Sequence, residues 1–337
     1  MASPEISVVM PFRDAAATLP AALASVARQR GVALELLAVD DGSADGSAEL
    51  VADLARADGR VRLITPGRVG LVGALRAALA EARAPLVARM DADDLAHPDR
   101  LRLQRDYLAA NPGVALVASR VALFPRRLVR AGYAEYIRWQ NSVLTPADVA
   151  NNIYVESPFA HPSVTLRRAA LEAAGGYRDG HFPEDYELWL RMHAAGMAMA
   201  KLPRVLLAWR ESEGRASRTD PRYAREAFDA LRAEYLARDP RLASGRELVY
   251  WGAGRNTRLR ARCLIERGFP PAAWVDIDPD KIGQVVWGAP VRPRAWLARA
   301  QRPYVLVYVT NHGARELIAG WLAELGYAPG ADYLFVG

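Results

Sequence analysis

Seven of the chain's 38 acidic residues stand in three groups whose spacing suits chemistry: Asp40-Asp41, Asp91-Ala92-Asp93-Asp94 and Glu184-Asp185. An Asp-x-Asp on the turn after a buried strand can hold Mg²⁺ or Mn²⁺, hard cations that take oxygen ligands and use one or two protein carboxylates beside substrate phosphates. A cation held there would stabilise charge developing on a phosphate. Glu184-Asp185 lies within the run Phe182 to Arg191. Each pattern alone has a plainer reading. Paired aspartates are common in turns and helix caps, Asp-x-Asp recurs in calcium loops, and acids at a helix start favour its dipole.

The elements around these residues decide between the readings. Ile6 to Met10, Leu34 to Val39, Val61 to Ile64 and Leu86 to Met90 are short apolar runs of the buried-strand kind. Between them, Thr18–Arg30, Ser47–Ala57 and Leu71–Ala82 carry apolar residues at helical spacing. This alternation predicts a mostly parallel sheet with helices on both faces, and ligands of such sheets bind beyond the carboxyl ends of the strands. The first strand runs into Pro11-Phe12-Arg13-Asp14, the second into Asp40-Asp41-Gly42-Ser43 and the fourth into Asp91-Ala92-Asp93-Asp94. Two acidic clusters at neighbouring strand ends make a shared site the stronger expectation. From Tyr107 to about Arg218 the pattern is mixed, and a helix-like stretch follows over Asp220–Arg238.

Composition narrows the class. The chain has 337 residues, enough for two cores, with 51% hydrophobic and 24% charged residues, an ordinary globular balance. The net charge of +6 comes almost wholly from arginine, since lysine occurs only at Lys201 and Lys281. The arginines are scattered and no nucleic-acid motif accompanies them, so no nucleic-acid partner is expected. One cysteine, Cys263, excludes an intrachain disulfide. Met1 to Pro11 has no signal-peptide pattern, and no apolar run nears the roughly 20 residues of a membrane span. A cytoplasmic protein is expected, with peripheral membrane contact left open. There is no Gly-x-Ser-x-Gly elbow and no Gly-rich loop followed by a Walker lysine.

Taken together, Ser7-Val8-Val9-Met10-Pro11-Phe12, Val39-Asp40-Asp41-Gly42-Ser43-Ala44-Asp45-Gly46-Ser47, and Ala88-Arg89-Met90-Asp91-Ala92-Asp93-Asp94 with Pro98-Asp99-Arg100-Leu101 resemble the family-2 inverting glycosyltransferases of the GT-A fold, in order and spacing over about residues 5–218. The resemblance implies sugar transfer from a nucleotide-sugar, a UDP-sugar favoured, to the hydroxyl of a saccharide or lipid-linked acceptor, in polysaccharide or glycoconjugate assembly. It implies Asp41 at the donor base, Pro11 and Asp14 near the nucleoside, Asp91 near the ribose or sugar, and Asp93 on Mn²⁺ or Mg²⁺. Arg13-Asp14 stands where many members carry Tyr-Asn. Arg68 is a further candidate for the base or phosphates. Glu184-Asp185 looks like the family's acidic pair, with Asp185 as general base and Glu184 its orienting partner. His161, in Phe159-Ala160-His161-Pro162-Ser163, falls near donor sugar and acceptor. Arg210 and Arg215, with Ser217, fall where relatives carry a loop that closes on the diphosphate.

A second α/β pattern begins at Glu247. Gly252-Ala253-Gly254 after a strand, with Asp276 further on, partly fits a dinucleotide fingerprint, but Thr257 replaces the third glycine. A Rossmann-like domain is expected, with nucleotide binding or mere packing both open. The expected division is a GT-A domain over 1–238, a linker over 239–246 and the C-terminal domain over 247–337. Two rivals are a nucleotidyltransferase, which would open on a Gly-rich loop and lysine, and a non-catalytic nucleotide-sensing or scaffold protein built on the C-terminal domain.

Overall fold

The computed structural model describes residues 3–212, 214–215, 220–310 and 313–337. Two compact units form. The first takes Met1–Pro146, Pro158–Gly180 and Glu184–Asp220, and the second Ala147–Ser157, His181–Pro183 and Pro221–Gly337.

The first unit is built on an eight-stranded sheet of order β3-β2-β1-β4-β7-β6-β8-β5. Its strands are β1 (Ile6–Phe12), β2 (Leu34–Asp40), β3 (Val61–Ile64), β4 (Leu86–Arg89), β5 (Leu95–Ala96), β6 (Val114–Phe124), β7 (Thr165–Arg167) and β8 (Ala198–Arg210). β1, β2, β3 and β4 pair in parallel, joined by the helices Leu19–Ala27, Ser47–Ala57 and Gly70–Glu81. Every residue of β1, β2 and β4 is buried, as helix cover on both faces requires of central parallel strands. The edge strand β3 is only half-buried. β7 enters antiparallel between β4 and β6. The chain turns back between β1 and β4, so the crevice beyond their carboxyl ends is the switch point where such sheets bind ligands.

The mixed region of the sequence resolves into elements that depend on distant partners. β6 and β8 pair in parallel over most of their length, with register shifts near Leu116 and Arg120. The helix Arg100–Ala110 lies against them, and the helix Glu184–Ala194 follows a loop. Trp189 in that helix is fully buried against the edge of Phe159.

The second unit holds a six-stranded sheet of order β11-β12-β10-β9-β13-β14. Its strands are β9 (Leu248–Trp251), β10 (Ala273–Asp276), β11 (Val285–Val286), β12 (Ala289–Pro293), β13 (Tyr304–Val307) and β14 (Tyr333–Phe335). All pairs but the β11/β12 hairpin are parallel, and the order outward from β9 is that of a Rossmann half. Gly252 ends β9 at φ +108°, where a Cβ would come within 2.8 Å of the Thr257 side chain and 2.9 Å of Val309. Thr257, in place of a third glycine, thus fills the turn. Asp276 accepts hydrogen bonds from the amides of Ala253 (2.8 Å), Ile277 (2.8 Å) and Asp278 (3.0 Å), tying its carboxylate to its own loops.

Asp239–Gly245, read from sequence as a linker, lies inside this second unit. Asp239 accepts from the Tyr154 hydroxyl at 2.9 Å and from Arg241 Nε at 2.8 Å, so the segment is a fixed turn. The helix Arg225–Leu236 belongs to the same unit.

Candidate active site

The candidate residues of the first unit fall into three groups of contacts. The first surrounds the end of β2. Asp41 is 9% exposed, and its Oδ1 accepts from the amides of Val69 (2.7 Å) and Gly70 (2.8 Å), while its own amide donates to the Phe12 carbonyl at 2.9 Å. These amides open the helix Gly70–Glu81, whose first turn has no other side-chain cap. Asp41 therefore does act as a cap, as the plainer reading of an Asp pair had it, with Oδ2 outside these bonds. Gly42, at φ +77°, sits where a Cβ would stand 3.4 Å from Cβ of Arg68, which brings Arg68 beside Asp41. Asp14 laces the β1 loop to the β2 loop: its Oδ1 accepts from the Ala44 amide at 2.8 Å, and its amide donates to Ser43 Oγ at 3.0 Å. Pro11 lies buried in β1, in register with Val39.

The second group follows β4. Asp91, Asp93 and Asp94 each bring a carboxylate oxygen within 4.8 Å of the others. Burial first, then the charge of Asp91, pushes Asp93 up to about 6, against the pull of Arg215 and Arg210. Asp94 is fully buried and is pushed well above the carboxylate range by burial and its two neighbours. Its Oδ1 accepts from the Arg210 amide at 2.6 Å, and its Oδ2 is buried with no hydrogen-bond partner. Three crowded carboxyls with an orphaned buried oxygen fit a divalent cation, whose charge would relieve the crowding. Arg210 Nε donates to the Asp93 carbonyl at 2.6 Å and its guanidinium stacks 4.5 Å from the Phe124 ring. Arg215 lies 4.0 Å over the Trp209 ring and donates to the Tyr133 hydroxyl at 2.5 Å. Ser217 lies outside the described residues.

The third group centres on the helix Glu184–Ala194. Glu184 is buried, and its Oε1 stands 3.6 Å from His161 Nδ1. The other ring nitrogen of His161 lies 2.8 Å from the Tyr177 hydroxyl. Burial holds His161 below its ordinary value despite Glu184, so the ring is neutral at pH 7. Asp185 is partly exposed to solvent and accepts from the Tyr186 amide at 2.7 Å. Close packing and the charge of Glu184 push it up to about 8. Arg89 connects the second and third groups: its Nη2 donates to Asp91 Oδ1 at 2.5 Å, and its charge acts on His161, Tyr177 and Asp185.

Sequence reasoning missed several residues that hold this arrangement. Arg89 is 3% exposed inside a strand, and a charged residue within the run Val87–Met90 was the signal. Arg100 is 1% exposed and donates to the carbonyls of Arg89 (2.7 Å) and Val164 (3.3 Å). Gln104, one turn on, donates to the Ser163 carbonyl at 2.7 Å and accepts from Thr165 Oγ1 at 2.8 Å. Tyr177 had no signal beyond its type.

Residues 7–175 match the model of the glycosyl transferase family 2. Among curated relatives, the amylovoran biosynthesis glycosyltransferase AmsE of Erwinia amylovora is 33% identical over 139 residues, 41% of this chain, and the match spans only 50% of AmsE. The UDP-Gal:alpha-D-GlcNAc-diphosphoundecaprenol beta-1,3-galactosyltransferase of Escherichia coli is 28% identical over 236 residues, 69% of this chain and 83% of that protein. Among solved structures, S. aureus TarS 1–349 in complex with UDP-GlcNAc aligns at TM-score 0.53 and 17% identity, covering 69% of this chain and 72% of that one. The mannosyltransferase PcManGT from Pyrobaculum calidifontis, with GDP-Man and Mn²⁺, aligns at 0.50 and 21% identity over 71% of this chain and 63% of its own. At these identities the two structures speak for the fold, and they share the GT-A architecture seen here. With the strand-end carboxylates in place and half of its length matching the family, this chain belongs to glycosyl transferase family 2 and is a glycosyltransferase.

Proposed function

We propose that the chain transfers a sugar, with inversion, from a nucleoside-diphosphate donor to a hydroxyl of a saccharide or lipid-linked acceptor in polysaccharide or glycoconjugate assembly. A UDP-sugar is the favoured donor. The observation that carries this reading is the carboxylate trio Asp91, Asp93 and Asp94 at the switch point of the sheet, coupled through Arg89 to the pair Glu184-Asp185. Relatives named for UDP-Gal and for polysaccharide biosynthesis, and neighbours solved with UDP-GlcNAc or GDP-Man and Mn²⁺, support it.

Asp93 would hold Mn²⁺ or Mg²⁺, with Asp91 and Asp94 beside it; when bound, the cation would supply positive charge against the leaving diphosphate. Asp185 takes the proton of the acceptor hydroxyl while the acceptor oxygen forms its bond to the anomeric carbon and the bond to the diphosphate oxygen breaks. Diphosphate leaves without full protonation, so one protein base suffices. The charge of Glu184 makes the ionised Asp185 a stronger base, and Glu184 fixes the His161 ring. Asp41 and Arg68 receive the base, with Pro11 and Asp14 lining the nucleoside side, and Arg210 and Arg215 bring positive charge to the phosphates.

The test is calorimetric titration with UDP, GDP and dTDP, with and without Mn²⁺, on the wild type and Asp93→Ala. Metal-dependent binding of one nucleotide, lost in the variant, supports the donor site and identifies its base. Binding indifferent to both metal and Asp93 overturns the metal assignment.

A further inference from the structure

The second unit contains a cavity of about 240 Å³ that the donor site does not use, lined by Arg225, Arg232 and Arg260 together with Glu156, Tyr223 and Phe228. Its arginines come from two helices, Arg225–Leu236 and Arg255–Ile265. Arg232 is the fixed post of the group. It is 5% exposed, and its guanidinium donates to the Val155 carbonyl at 2.6 Å and to Asp229 Oδ1 at 2.5 Å. Arg225 stands exposed at the rim and Arg260 is half-buried, donating to Thr310 Oγ1. A fourth arginine, Arg315 of the helix Ala314–Glu324, donates to the Gly337 carbonyl, and Gly337 also borders the cavity.

The charges of this cluster do not balance locally. Four guanidiniums face three carboxyls, those of Asp229, Glu156 and Glu316. Burial, then the repulsion of Arg225 and Arg232, holds Arg260 below its ordinary value, although Asp229 pulls the other way. Arg315 is held down likewise, by burial and by Arg232 and Arg260. The Glu156 carboxyl is pushed up by burial, which makes it a weaker counter-charge. Like charges brought together out of water are costly unless an anion completes the set. Guanidinium forks match phosphate oxygens two at a time, in geometry as well as charge. The cavity is smaller than the roughly 300–1,000 Å³ that encloses a drug-sized ligand, so it suits a small anion or the charged end of a larger molecule.

We propose that this cavity is a second, metal-independent anion site that takes a phosphate-bearing group, a phosphomonoester or a diphosphate, through Arg225 and Arg260 with Arg232 as the fixed guanidinium. The group can belong to a small soluble molecule or to a lipid headgroup, since the recognising chemistry is the same. The site is independent of the carboxylate trio, which belongs to the other unit.

The experiment titrates the full chain with inorganic diphosphate in EDTA, which disables metal-dependent binding at the aspartates. The wild type should bind with an affinity that falls as salt rises, Asp93→Ala should bind equally, and Arg260→Met and Arg225→Met should each bind at least tenfold more weakly. Thermal unfolding accompanies each variant. Removing one of four repelling charges should leave the midpoint unchanged or raise it, whereas a purely structural arginine would lower it. Should Arg260→Met fail to fold, exposed Arg225→Met carries the test. Co-sedimentation with phosphatidylcholine vesicles, with and without phosphatidic acid, assigns the source. Arginine-dependent capture by phosphatidic acid points to a headgroup, and diphosphate binding alone to a soluble ligand. No diphosphate binding by the wild type, or binding insensitive to both arginines, overturns the proposal. The first result would mean that groups of the chain itself, Gly337 among them, already satisfy the guanidiniums.

Discussion

Arg100 Nη2 donates to the carbonyl oxygen of Arg89 at 2.7 Å, so a buried guanidinium on one helix holds the end of β4 just before Asp91. The same side chain reaches the Val164 carbonyl at 3.3 Å and Gln104 Oε1 at 3.2 Å, and Gln104 in turn holds Ser163. One helix therefore fixes both the carboxylate trio and the turn that carries His161. Burial pushes Arg100 down to about 9, still charged at neutral pH.

Arg100→Met keeps much of the volume and takes the side-chain donor from the buried Arg89 carbonyl, while the Val164 carbonyl keeps the Arg89 amide at 3.0 Å. One such group costs about 1–3 kcal/mol, and urea denaturation should show a loss of that size. The metal-dependent binding of donor nucleotide should weaken as well, because the Asp91 loop loses its anchor. A variant as stable as the wild type would show that water or a neighbour replaces the guanidinium.

The capping contacts of Asp41 and its proposed contact with the donor base are separable by two substitutions. Asp41→Ala strips the Val69 and Gly70 amides of their acceptor and should cost about 1 kcal/mol, as lost caps do. Asp41→Asn retains Oδ1 and should keep nearly all of that stability while weakening nucleotide binding, because the second oxygen becomes an amide. Equal nucleotide affinity in Asp41→Asn and wild type would leave Asp41 as a cap only.

How far the site could be read in advance follows from how local its determinants are. Ile6–Phe12, Leu34–Asp40 and Leu86–Arg89 announce themselves as buried parallel strands by mainly apolar runs, and the acids that follow them mark the switch point. The helix Ser47–Ala57 has the bounds its periodicity predicts. β6 and β8 were not legible, because their pairing joins residues far apart and shifts register three times along its length. Asp239 shows the same limit in miniature. Its Pro-Gly-Ser-rich neighbourhood reads as a linker, yet Tyr154, distant in sequence, pins it. The supporting shell of Arg89, Arg100 and Tyr177 depends on contacts of this kind, whereas the Asp91-Ala92-Asp93-Asp94 turn is contiguous.

The carboxylate trio should make the metal-free protein pH-sensitive in a defined direction. An acid raised in the folded state binds its proton more tightly there than when unfolded, so its stabilising contribution is complete below about pH 4, the ordinary carboxylate value. That contribution is lost as pH rises through about 6 for Asp93. Thermal midpoints in EDTA should therefore fall between pH 4 and 7 by a few degrees more in the wild type than in Asp93→Asn. Saturating Mn²⁺ at pH 7.5 should recover the loss by mass action on the folded state. Identical pH profiles for wild type and variant would show that Asp93 is not crowded as described.

Asp185 gives the sharpest kinetic prediction. As the base it must be ionised, and burial with Glu184 raises it to about 8, so most free enzyme holds the proton at pH 7. The kcat/KM for transfer should climb close to tenfold per pH unit below that value and level off above it. Replacing Glu184 by Gln removes the neighbouring charge and should move the bend toward lower pH. Asp185→Asn should abolish the bend and lower kcat by about 10²–10⁴-fold, the usual worth of a general base, while calorimetry shows nucleotide affinity unchanged. Transfer by Asp185→Asn at the wild-type rate would remove Asp185 from the reaction. Lost nucleotide affinity in the same variant would instead make it part of the donor site. A bend that stays put in Glu184→Gln would show that packing alone sets the ionisation of Asp185, and that the paired acid serves chiefly to hold His161 and, through it, Tyr177.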